Sequence, residues 1–86
     1  AARSRLSATA RQELLHGETL FATSVPLQTG PDRANVRRGP GMDFEVLHTL
    51  EPETELVGQS YSGEWVRVAD DGGREGWIFH TLVTAR

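Results

Sequence analysis

From Leu20 onward, short runs of strand-forming residues alternate with Gly, Pro and Asp turn signals, and this punctuation constrains the fold more than any other feature. Leu20-Phe21-Ala22-Thr23-Ser24-Val25 is the first run, closed by Pro26, and Gln28 to Arg33 reads as a polar loop. Ala34-Asn35-Val36-Arg37 is a short strand ended by Gly39-Pro40-Gly41. That triplet fits a type II turn, with Pro40 supplying φ of about −65° and Gly41 the positive φ. Strands follow at Glu45–Leu50, stopped by Glu51-Pro52, and at Glu55–Tyr61, stopped by Ser62-Gly63. Trp65–Ala69 alternates cleanly, with Val66 and Val68 facing inward. Asp70-Asp71-Gly72-Gly73 is a strong hairpin signal before Glu75–Phe79. His80-Thr81-Leu82 reads as a helical turn before Val83-Thr84. Five to six strands of this length are too few for a two-layer sandwich. They predict an all-β domain, closed on itself as a small, strongly bent barrel.

The first sixteen residues have another texture, without Gly, Pro, Val or aromatics. Leu6, Ala10 and Leu14 recur every four positions, which predicts one short amphipathic helix or, equally, a frayed tail. Thr9 with Gln12 has capping-box spacing, Ser7 competes as N-cap, and Gly17 is a plausible stop. So short a helix does not stand alone in water. It would dock on the body, on a parent domain or on a second copy. The expected organisation is a helical segment or linker over residues 1–18 and the barrel over 19–86. The Ala1-Ala2 opening, without methionine, suggests a processed or excised piece.

Composition then removes whole chemistries. The 86 residues contain no cysteine and no lysine, so a thiol nucleophile, a disulfide framework and a Schiff base are all excluded. Residues 1–34 hold four arginines against three acids, and residues 35–86 hold five against nine. The net charge of −3 argues against nucleic acid as a partner. No apolar run approaches the ~18 residues of a membrane span. His16, His48 and His80 fall in separate segments without ligand spacing, so no metal or other cofactor is expected. Glu51, Glu53 and Glu55 alternate beside a proline turn, which reads as a solvated edge rather than paired catalytic acids.

Three motifs carry a resemblance. Asn35-Val36-Arg37-Arg38-Gly39-Pro40-Gly41 resembles the N-V-R-x-G-P-x opening of bacterial SH3-like (SH3b) domains. Gly63-Glu64-Trp65-Val66-Arg67-Val68 is similar to their G-x-W-x-x-V strand, and Gly76-Trp77-Ile78 with Leu82 to their closing segment. The resemblance spans about Ala34 to Thr84 and implies an SH3-like barrel. Most of the signature reads as scaffold. Val36 plugs the core, Arg37 braces the turn on carbonyls or an acid, and Gly76 permits a close backbone approach or a bulge.

Trp65 is the first candidate for ligand binding, because alternation places it with Arg67 on the face opposite Val66 and Val68. By similarity to eukaryotic SH3 closing segments, Phe79 and Leu82 line a ligand groove while Ile78 and Val83 point to the core. Asp43 and Phe44, after the Gly-Pro-Gly turn, and Tyr61, at a strand end, complete the candidate set. Phe44 also reads as a cover for the barrel mouth. The closing segment lacks the proline and tyrosine of polyproline-binding domains, so that ligand is not expected.

The resemblance implies a noncatalytic module holding peptidoglycan peptides, in an extracytoplasmic setting (periplasm or cell envelope). The alternative is a protein–protein docking or structural module of an envelope or signalling protein. No catalytic residues are expected.

Overall fold

The computed structural model describes residues 18–86. The N-terminal helix, its docking and His16 lie outside the described residues. Seven strands form one antiparallel sheet: β1 (Thr19–Thr29), β2 (Ala34–Arg37), β3 (Val46–Leu50), β4 (Glu55–Ser62), β5 (Trp65–Ala69), β6 (Glu75–Phe79) and β7 (Val83–Ala85). A one-turn 3-10 helix, His80–Leu82, separates the last two. The count exceeds the expected five to six because the residues after that turn pair along β1, with Gln28 opposite Thr84.

The hydrogen-bonded order is β3-β2-β6-β5-β4-β1-β7. One cluster nevertheless unites Ala34 and Val36 of β2, Leu50 of β3, Leu56 of β4, Val68 of β5 and Ile78 of β6. Leu27 of β1, together with Val83 of β7, packs against it. A sheet that buries residues from both of its ends in one cluster has to curl around them. Alternation does the sorting. Val66, Val68 and Ile78 turn inward, and Ile78 has no exposed surface. Gly76 lies where a Cβ would run into Cγ1 of Val36 and stand 3.0 Å from the Arg37 carbonyl. This is the close approach expected there.

Two local readings are corrected. The first strand does not stop at Pro26; β1 runs through it to Thr29. The Pro26 carbonyl accepts the Arg86 N–H at 3.1 Å, on the flank where β7 runs. Its missing donor therefore faces a position beyond Ala85, the last residue of β7, just after the β1–β4 register shifts between Leu20 and Val25. Proline is tolerated in sheets at such places.

Gly39-Pro40-Gly41 is not a type II turn, since the positive-φ glycines among the described residues are Gly63 and Gly73. The Gly41 N–H donates to the Gly39 carbonyl at 2.9 Å, closing a three-residue turn. Glycine is needed at position 39 for another reason: a Cβ there would lie 2.5 Å from the Phe44 ring.

The β5–β6 hairpin is as expected. Gly73 takes φ +81°, and its N–H donates to the Asp70 carbonyl at 3.0 Å. The acids Glu51, Glu53 and Glu55 are exposed, but β4, which Glu55 opens, is an interior strand paired with β1 and β5.

Candidate functional site

The inward turn of Ala34 and Val36 fixes what β2 presents outward. Arg33, Asn35 and Arg37 fall on the opposite face. On β5 and β6 the same alternation sends Trp65 and Phe79 outward, directly opposite each other across the ladder. Their rings meet edge-to-face, with centroids 5.4 Å apart at 75°. That geometry aligns the positive ring edge with the negative ring face and holds both side chains in place. Arg37 pairs with Trp77 across β2 and β6, so the antiparallel continuation carries Asn35 alongside Phe79.

Between these rows lies a shallow groove of about 190 Å³. Trp65 and Phe79 form its apolar floor, and Arg33, Asn35 and Arg37 its polar side. Leu82, from the 3-10 turn, and Met42, from the β2–β3 loop, also line it. Met42 is 72% exposed, unusually open for an apolar side chain.

Arg37 is held by the turn it was expected to brace. Its Nη1 donates to the Met42 carbonyl at 3.2 Å and to the Phe44 carbonyl at 2.9 Å. Asn35 is oriented as well: the Thr49 hydroxyl donates to its Oδ1 at 2.9 Å, which turns the Nδ2 donors away from β3. Arg33 stands 3.4 Å from Glu51, with both side chains largely in solvent.

Of the six predicted site residues, the structure brings Trp65, Phe79 and Leu82 together. The other three lie elsewhere. The Phe44 ring covers Gly39, and its carbonyl accepts from Arg37 of the groove. Asp43 is exposed in the same loop, outside the lining. Tyr61 packs on Phe21, ring centroids 5.4 Å apart, at the β1–β4 ladder. Sequence reasoning missed Arg33, Asn35 and Met42, and gave Arg37 a scaffold role alone. The signal for three of them was present: the Arg33-Ala34-Asn35-Val36-Arg37 alternation, with Ala34 and Val36 inward, puts the polar residues on one face.

Elsewhere on the outer face, Arg67 donates to Glu75 at 2.7 Å and lies 4.0 Å from Glu18, whose carboxylate accepts the Ser60 hydroxyl. Among the described residues no group of three or more His, Asp or Glu side chains is placed to hold a metal. Nor is any helix long and apolar enough to cross a membrane.

An antiparallel sheet curled around one core, with Asn35-Val36-Arg37 on β2 beside the edge strand and Gly76-Trp77-Ile78 on the adjoining β6, defines a class of small barrel domain. The bacterial SH3 domain family matches residues 32–84, and the chain belongs to that family. It is also 28% identical over 68 residues to a Bacillus subtilis (strain 168) protein named "Putative N-acetylmuramoyl-L-alanine amidase YrvJ". That alignment covers 79% of this chain but 12% of the relative, so the chain spans about an eighth of the length of the protein it matches. No solved structure matches the chain significantly.

Proposed function

We propose that this domain is a noncatalytic binding module that holds cell-wall peptidoglycan peptides in the groove floored by Trp65 and Phe79. The observation that carries the reading is that cross-strand aromatic pair, half-exposed on the outer face and flanked by oriented polar side chains. A rigid aromatic wall takes up an extended peptide at low entropic cost, and the polar row can hydrogen-bond its backbone. The similarity to a protein named as an amidase acting on muramoyl-alanine linkages supports a cell-wall setting, and with it an extracytoplasmic location. Affinity for one peptide is expected to be weak, with tethering to a catalytic domain supplying the effective concentration.

Titration with soluble muropeptides, followed by backbone amide shifts, tests this. The expected result is a contiguous set of shifts at Asn35, Trp65, Phe79 and Leu82, with Trp65→Ala weakening binding at least about tenfold. Shifts confined to other faces, or none at all, would refute it.

A further inference from the structure

The groove's charge runs against that of the domain around it. The described residues 18–86 carry six arginines against eleven acids, yet among them the lining holds two arginines and no acid. Its polar side chains also share one hydrogen-bonding character. Asn35 has its Oδ1 occupied by Thr49 and offers Nδ2 donors. Arg37 spends Nη1 on two backbone carbonyls, which leaves its Nε–Nη2 edge, the edge that pairs side-on with a carboxylate. Among the described residues Arg33 is engaged by the solvent-screened contact with Glu51, which it can exchange for a ligand.

A row of donors beside an aromatic floor calls for an acceptor that carries negative charge, next to an apolar or main-chain surface. Resting on the groove reading above, we propose that the groove selects peptides bearing a carboxylate. Arg37 and Asn35 receive the carboxylate as a fixed donor pair, Arg33 closes over it from the rim, and Trp65 with Phe79 contacts the adjoining residue. The brace on Arg37 has a second consequence here. A guanidinium already held by two carbonyls loses little further freedom when it binds, so the turn preorganises the site.

The test compares one soluble stem peptide with its carboxylates free and the same peptide fully amidated, at low and at high salt, with no variant required. The free acid is expected to shift the groove amides and to bind about tenfold more tightly than the amide. Its advantage should shrink as salt rises. Arg33→Gln, at an exposed position, should weaken the acid more than the amide and so narrow the difference between them. Equal binding of acid and amide at Trp65 and Phe79 would overturn the carboxylate assignment while leaving the groove reading intact. Displacement of the peptide by glycerol 3-phosphate at comparable concentration would also overturn it, pointing to a phosphate-bearing polymer instead. Loss of all groove shifts with both peptides would overturn the two readings together.

Discussion

A methyl group at Gly76 would occupy space filled by Val36 Cγ1, and neither wall can yield easily. Val36 is 1% exposed within the core, and the second neighbour is the Arg37 backbone carbonyl. Gly76→Ala is therefore an overpacking change, expected to cost about 1–3 kcal/mol. In a domain of this size that lowers the melting temperature by at least ~4 °C. Gly41→Ala is its counterpart. Position 41 does not take a positive φ, and a Cβ there would meet Phe44 at an ordinary 3.5 Å. Its melting temperature should stay close to that of the parent, within about 0.5 kcal/mol of stability. A large loss at Gly41 would restore the type II turn that the Gly39-Pro40-Gly41 spelling suggests. The sequence reads Gly41 as a turn glycine and Gly76 as a point of close approach, and the packing keeps the second need while moving the first to Gly39.

At the scale of elements, the β5–β6 hairpin is fastened by one carboxylate. Burial disfavours the charged form of Asp70. Against that, it accepts from the Arg74 amide at 3.0 Å, the Arg74 Nε at 2.8 Å and the Gly72 amide at 2.9 Å. Those bonds and the Arg74 charge prevail, holding its pKa below the ordinary value of 3.8. His48 on β3 is also lowered, from 6.5, first by burial and then by the Arg74 charge, with Asp70 opposing. Both shifts have the same sign for stability. Each group binds protons more readily in the unfolded chain, so stability is full above the unfolded pKa and is lost as pH falls through the folded one. Denaturant midpoints measured against pH should fall below about 6.5 for His48 and again below about 3.8 for Asp70. His48→Gln should flatten the first decline, and Asp70→Asn the second. The elements themselves were largely legible, because Gly and Asp signals mark real chain reversals at 62–64 and 70–74. Less legible was the β3–β4 connection, where Glu53 takes φ +57° though glutamate does not advertise a left-handed position. The length of β1 was hidden too, since a proline's tolerance depends on which neighbour lies on its flank. Alternation pointed to Trp65 and the resemblance to Phe79 and Leu82, and the same alternation along residues 33–37 could have added Arg33, Asn35 and Arg37. Met42 could not, because its place depends on the path of a loop.

For the whole molecule, the open question in any curled sheet is what joins its far sides where no ladder does. Here the chain at Thr29-Gly30 gathers two distant connections. Thr29, fully buried, donates its hydroxyl to the Glu51 carbonyl at 2.8 Å and accepts the Thr54 N–H at 2.7 Å. The Gly30 N–H donates to the Leu82 carbonyl at 3.1 Å, and the Gly30 carbonyl accepts from Glu53. Thr29→Val keeps the shape but orphans the Thr54 donor, a loss of about 1–3 kcal/mol. Because the Glu51 carbonyl retains the Thr54 hydroxyl at 2.7 Å, the cost should not exceed that of one lost partner. Thermal melting should place Thr29→Ser between the parent and the valine variant; a serine as damaging as valine would mean that the methyl, not the bond, matters. The groove divides along similar lines. Asn35, Arg37, Trp65 and Phe79 sit on strands and share in holding the sheet, whereas Arg33 and Met42 are exposed and lie outside them. Those two rim positions can thus be varied with the barrel left whole, so that the shape of the groove's rim and the stability of the sheet are set by different residues.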